Sequence, residues 1–362
     1  MPVSESPSTQ PLPAYRSAVS PIDPERIQKS RDRLDNLTKP RGSLGRLEDW
    51  ISRYASISGP DSCTLQKKAL YLFAADHGVA EESVSAYPQE VTRQMVLNFM
   101  AGGAAINTLA RHAQADLVVV DVGVAAELPE HPGLISRKIA PGTGNLARQP
   151  AMSREQAEAA LQLGFDFAVE RSRQGVDILA AGEMGIANTT PATAVLAVLF
   201  REKVSNLVGN GTGIDVDTRA HKSRIIEQAI ELHQPDASDP VDVLSKVGGF
   251  EIGAMAGFYL GAAHSGKPVL LDGMISGAGA ALALGLQPGI RDYLFPSHIS
   301  TEPAQRVLLN QLTLPPLLDL EMRLGEGTGA VLAMNLLEGG VRLYNEMATF
   351  GDAGVSGKSN GA

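Results

Sequence analysis

Short β-branched runs recur along this chain, and each runs into a turn bearing glycine. They are ALYLFAADHG (69–78), DLVVVDVG (116–123), VDILAAGEMG (176–185), SNLVGNGTG (205–213) and KPVLLDGM (267–274), with DYLFPSHIS (292–300) as a sixth candidate. Apolar stretches at helical spacing lie between them. Continuous apolar strands alternating with helices describe a parallel sheet covered on both faces, because such strands are buried on both sides. The expectation is an α/β fold with a mostly parallel, Rossmann-like sheet. At 362 residues and 44% hydrophobic content the chain can bury a sizeable core.

Two helix starts are marked. Ser153 and Gln156 make a capping box ahead of Leu161, Phe165 and Ala168 at helical spacing. Thr190-Pro191 reads as a second start, with threonine as N-cap and proline in the first turn. The chain ends are also helical, over 24–54 except for TKPRGSLG (38–45), and over 317–350 except for its opening loop. The expected division is a flexible tail (1–20), a small helical domain from both ends (21–60 with 305–350), a large α/β domain (61–304) and a second flexible tail (351–362).

Charge and composition exclude several classes. The formal net charge of -9 argues against nucleic-acid binding. The single cysteine, Cys63, excludes an intrachain disulfide and a cysteine-rich metal cluster. The first residues lack a charged region followed by an apolar run, and the apolar run 192–200 is too short to span a bilayer. A soluble, cytoplasmic protein without membrane association is expected.

Ligands of open parallel sheets bind beyond the carboxyl ends of the strands. Those ends carry ADHG, DVGV, GEMGIANTT, GNGTG, DGM and SHIS. In GEMGIANTTP (182–191), glycines such as Gly185 admit close backbone approach. Asn188, Thr189 and Thr190 supply donors before a helix whose N-terminus favours an anion. An ordinary capping turn would look the same, but Glu183 leaves a buried strand and needs a partner. GNGTG, with Gly211, is not a dinucleotide fingerprint; Lys222 beyond it could neutralise a phosphate, or could simply be solvated. SGKSN near the C-terminus lacks the first glycine of a phosphate loop. Asp76 and His77 read as polar groups that shape their turn, and no metal site is expected.

The stretch RLGEGTGA (323–330) puts Glu326 among glycines just before a helix. One reading makes Glu326 a first-turn acid favoured by the helix dipole. The other makes it a general base in a ligand cleft, the glycines leaving room for something large to approach the carboxylate.

These segments together resemble one family. TKPRGSLGRLE (38–48), ADHGV (75–79), GEMGIANTTPA (182–192), DVLSKVGGFE (242–251), PVLLDG (268–273), SHIS (297–300) and RLGEGTGAVLAM (323–334) are similar to the nicotinate-nucleotide–dimethylbenzimidazole phosphoribosyltransferases of the cobalamin pathway. The resemblance implies transfer of ribose 5-phosphate from nicotinate mononucleotide to 5,6-dimethylbenzimidazole, with inversion, giving α-ribazole 5′-phosphate and nicotinate. It implies Glu326 as catalytic base and Glu183 beside it in the base pocket. Met95 and Leu324 would pack on the ring, with Tyr87 stacking or forming wall. Gly185, Asn188, Thr189 and Gly211 would hold phosphate with Lys222 opposite its charge, while Asp272 and Ser300 would line the nucleotide side. The resemblance implies no metal, no cofactor and a homodimer. A nucleotide-dependent oxidoreductase and a non-catalytic nucleotide or benzimidazole binder are the alternatives.

Overall fold

The computed structural model describes residues 13–61, 63–209, 211 and 213–356. Six strands form one sheet: β1 (Lys68–Ala75), β2 (Ala115–Gly123), β3 (Leu134–Ser136), β4 (Ile178–Met184), β5 (Val269–Leu271) and β6 (Leu294–Pro296). Every pairing is parallel, and the order across the sheet is β3-β2-β1-β4-β5-β6. This is the doubly wound order. The strand sequence reverses between β1 and β4, and a crevice opens there at the carboxyl ends.

Fourteen α-helices lie among the described residues. The first seven are α1 (Pro24–Asn36), α2 (Arg46–Ser58), α3 (Glu90–Met100), α4 (Ala105–Ala113), α5 (Arg154–Arg173), α6 (Thr189–Phe200) and α7 (Val204–Leu207). The others are α8 (Val216–His233), α9 (Pro240–Val247), α10 (Phe250–His264), α11 (Met274–Leu286), α12 (Pro303–Leu312), α13 (Thr328–Glu346) and α14 (Phe350–Ala353).

Strand side chains alternate between two cores, as the pleat requires. Tyr71, Phe73, Val120, Leu179 and Leu271 point to one face, where α5, α6, α9, α10 and α11 supply Phe165, Phe258 and their neighbours. Tyr71 and Phe258 meet with ring centroids 5.0 Å apart. Leu70, Leu72, Ala180 and Leu270 point to the other face, against Val331, Met334 and Leu337 of α13 and residues of α2 and α4. Each buried Leu or Phe contributes about 1.5–3 kcal/mol, so a strand apolar throughout is stable only between two covered faces.

The chain ends meet on the second face. Arg33 donates to the Tyr344 carbonyl at 2.8 Å and Thr38 N–H to the Ala348 carbonyl at 3.0 Å. By contrast α12 lies against α11 and α7, with Leu308 and Leu312 in the first core.

The Ser153–Gln156 capping box forms in both directions. Other expectations change. SNLVGNGTG is no strand: Val204–Leu207 makes one helical turn, and Asn210 and Thr212 lie outside the described residues. Strand β3 has no apolar run; it is a short, partly exposed edge. Asn188, not Thr190, is the N-cap of α6. Residues 13–20 do not hang free, because Tyr15 is buried and Tyr293 donates to the Ser20 carbonyl. Thr349 caps a last helical turn at 350–353. Among the described residues no helix is long and apolar enough to cross a membrane.

Candidate active site

A cavity of about 380 Å³ occupies the crevice at the β1/β4 switch point. Of the residues expected from sequence, Tyr87, Met95, Glu183, Gly185, Asn188, Thr189, Gly211, Ser300, Leu324 and Glu326 line it. Thr190, Lys222 and Asp272 do not. A more open depression of about 1430 Å³ lies among Asp32, Lys39, Arg41 and Phe350 at the chain ends. It shares no lining residue with the crevice, and the switch-point location and buried acids favour the smaller cavity.

The loop carrying Glu326 has three successive left-handed residues: Gly325 (φ 87°), Glu326 (φ 62°) and Gly327 (φ 85°). A glutamate accepts this conformation only at a cost, whereas glycine adopts it freely. The loop also lies flat on the sheet. A Cβ on Gly182 of β4 would collide with the Glu326 carbonyl, and one on Gly327 would collide with Leu70 of β1. The glycines therefore serve the turn and its packing, and Gly325 also lines the cavity.

Asp272, expected to line the nucleotide side, is instead turned inward beneath this loop, 1% exposed. Its carboxylate accepts N–H bonds from Gly327 (3.1 Å), Gly329 (2.8 Å) and Ala330 (3.2 Å). Those are the orphan donors at the start of α13, so Asp272, just past β5, caps that helix from across the fold and fixes Glu326 in place.

Two buried acids face the cavity, and their surroundings differ. Burial pushes the Glu183 carboxyl up to about 8; Asp272 and Glu251 add to the rise, while an Asn188 side-chain hydrogen bond opposes it. At neutral pH Glu183 is mostly protonated. Burial also raises Glu326, but the Ile106 N–H, in the first turn of α4 and 3.4 Å from Oε2, pulls the other way, and the Asp272 charge raises it further. Glu183 is closed in by its neighbours; Glu326 sits at a helix N-terminus that favours its anion.

On the opposite side, Asn188 and Thr189 open α6 toward the cavity. Lys222 stands one layer behind, 1% exposed, and donates to Thr189 Oγ1 at 2.6 Å. Burial lowers its pKa to about 8 and nearby Glu302 opposes that fall. The Thr190 hydroxyl is buried without a partner among the described residues, so it is not a cavity donor. Glu302, Arg323 and His298 also line the cavity; Arg323 and His298 lie within RLGEGTGA and SHIS, whereas nothing in the sequence marks Glu302. Glu302 accepts from Gly211 N–H at 3.0 Å, and Arg323 donates to the Gly211 carbonyl at 3.2 Å. Met95, Val91 and Leu324 add an apolar wall. Among the described residues no three His, Cys, Asp or Glu side chains converge as a metal site.

A doubly wound sheet whose switch-point crevice combines an anion-favouring helix start, an apolar slot and two acids is the architecture of an enzyme acting on a nucleotide-like substrate. Comparison with known proteins narrows the class. The family model DBI_PRT, described as phosphoribosyltransferase, matches residues 19–355. The nicotinate-nucleotide–dimethylbenzimidazole phosphoribosyltransferase of Geobacter sulfurreducens is 52% identical over 94% of this chain and 97% of its own length. The enzyme of that name from Chloroflexus aggregans is 53% identical over 94% and 96%. The crystal structure of CobT from Thermus thermophilus superposes with a TM-score of 0.88 at 49% identity, covering 92% of this chain and 100% of that one. The chain belongs to the nicotinate-nucleotide–dimethylbenzimidazole phosphoribosyltransferase family, and is a phosphoribosyltransferase.

Proposed function

We propose that this enzyme transfers ribose 5-phosphate from nicotinate mononucleotide to 5,6-dimethylbenzimidazole, with Glu326 as general base and inversion at the anomeric carbon. The names of its relatives support the substrates. One observation carries the mechanism: a 6%-exposed carboxylate, held in a left-handed loop by Asp272, on the wall of the cavity.

One benzimidazole nitrogen attacks the anomeric carbon from the face opposite the pyridinium. The bond from that carbon to the pyridinium nitrogen breaks, and its electron pair leaves with nicotinate. The attacking ring becomes cationic, and its second nitrogen passes its proton to Glu326. A carboxylate beside that nitrogen stabilises the growing charge before removing the proton. Glu183, neutral at working pH, acts as a hydrogen-bonding wall of the base pocket rather than as a second base.

Met95, Leu324 and Tyr87 pack on the aromatic ring. The phosphate rests on the turn of Gly185, Asn188 and Thr189 with Gly211, at the start of α6, and Lys222 acts through Thr189. Ser300 borders the ribose. Asp272 serves the loop rather than the nucleotide.

We also propose a cytoplasmic homodimer. Tyr87 and Leu324, at 53% and 57% exposure beside the cavity, are its expected contact residues, and light scattering checks the state. The helical lobe is proposed to comprise α1, α2 and α13, with α2 and α13 packed on the second face of the sheet.

The function is tested with purified protein, nicotinate mononucleotide and a panel of bases. Chromatography should find free nicotinate and one new nucleotide in equal amounts, with 5,6-dimethylbenzimidazole among the accepted bases. Absence of nicotinate release with every base contradicts the proposal.

A further inference from the structure

Two segments that supply no chemistry above meet behind the Gly185 turn of the cavity wall. His77, just past β1, and Glu251, in the first turn of α10, are both 0% exposed, and His77 Nε2 lies 2.9 Å from Glu251 Oε1. The imidazole is enclosed by backbone. A Cβ on Gly249 would stand 2.5 Å from His77 Cε1 and 2.8 Å from Glu251 Oε2. One on Gly185 would stand 3.2 Å from His77 Nε2 and would collide with the Ala75 carbonyl. Gly185 belongs to the turn that walls the cavity.

That turn is strained and held from several sides. Ala187, a non-glycine residue, has φ 72°. A left-handed alanine costs roughly 1 kcal/mol and persists only where its surroundings over-determine it. Ile186 N–H donates to Thr92 Oγ1 at 3.0 Å, and the Asn188 side-chain amide donates to Glu183 of β4. His77 supplies the remaining support, filling the space that two glycines leave for it. The strained residue sits directly before Asn188 and Thr189, which face the cavity.

We propose that His77, locked by Glu251, is a positioning residue for the transfer reaction: the imidazole wedged between Gly185 and Gly249 holds the Ala187 turn closed and so sets where Asn188 and Thr189 meet the nucleotide. The inference rests on the proposed nucleotide site. A wedge of this kind acts on one substrate. Its loss shifts the nucleotide-binding turn and leaves the apolar base wall on α3 unmoved.

The test compares wild type with His77→Ala, His77→Gln and Glu251→Gln. Ile51→Ala, a buried truncation on α2, serves as a destabilised control. His77→Ala should raise the KM for nicotinate mononucleotide roughly tenfold or more, leave the KM for the base within about twofold, and be partly rescued in His77→Gln. Glu251→Gln, which keeps a hydrogen-bonding partner, should show a smaller shift in the same direction. Ile51→Ala should lose thermal stability without this split. Equal changes in both KM values, or the same split in Ile51→Ala, overturn the proposal.

Hydrogen exchange reads the wedge without turnover. The Ile186 amide should exchange about tenfold faster in His77→Ala, or in His77→Gln should the alanine variant not fold. Unchanged exchange overturns the wedge. Absence of wild-type turnover overturns the substrate assignment alone, so the two failures are distinguishable.

Discussion

The turn after β4 and the loop before α13 are built alike. Each adjoins a buried glutamate on the cavity wall, Glu183 at the end of β4 and Glu326 within the loop; each contains a left-handed non-glycine residue, and each leads into a helix. They differ in what surrounds the acid. Burial, with the buried acids Asp272 and Glu251 nearby, keeps the proton on Glu183 to about pH 8 against the opposing hydrogen bond from Asn188. Glu326 has the Ile106 amide at the start of α4. Two identical side chains on one cavity thus acquire different chemistry from their neighbours. In the proposed mechanism one is a neutral wall and the other is the proton acceptor.

Removing the acceptor should break the comparison most severely. Glu326→Gln should lower turnover by about 10²–10⁴, the range for loss of a general base, while nicotinate mononucleotide still binds with similar affinity in calorimetry. Next comes the brace. Asp272→Asn loses at least one of the three amide bonds that hold the Glu326 loop. It should cost about 2 kcal/mol in denaturant unfolding and roughly tenfold in turnover.

Glu183→Gln sharpens the contrast through pH. In the fold Glu183 keeps its proton to about pH 8, whereas an unfolded chain releases it near pH 4.3. The folded state therefore binds more protons across that window. The stability this proton supplies is present below the window and is lost as pH rises through it. Thermal melts should show Glu183→Gln gaining on wild type from about pH 5 to about pH 8, by a few kcal/mol at most, and then levelling. Its turnover at neutral pH should stay within about tenfold of wild type, because glutamine mimics the neutral acid. The smallest effect belongs to the exposed rim: Leu324→Ala should raise the base KM by about threefold and change stability by less than about 0.5 kcal/mol.

Much of this contrast is legible in the sequence. Five of the six runs are strands, as their pattern predicts, because strands buried on both faces must be apolar throughout, and the carboxyl ends of three of them, β4, β5 and β6, line the cavity. SNLVGNGTG fails because its apolar part is too short to distinguish a strand from the helical turn Val204–Leu207. Strand β3 is invisible because a partly exposed edge strand carries no apolar run. In the site, neighbours in sequence such as Gly185, Asn188 and Thr189 are found together. Partners across the fold are not. Asp272 accepts amides from residues 327, 329 and 330, a pairing without local trace, and Glu302 enters the cavity without a motif. The glycines around Glu326 stand out in the sequence, and the fold adds a reason it does not show: the backbone turn and the sheet beneath require them.

The most direct measurement is a crystal structure of Glu326→Gln with nicotinate mononucleotide and 5,6-dimethylbenzimidazole both bound. The residue 326 side chain should lie about 3 Å from one benzimidazole nitrogen while the other nitrogen faces the anomeric carbon. A ring whose free nitrogen points to Glu183 or to solvent, with residue 326 turned from the cavity, contradicts the account.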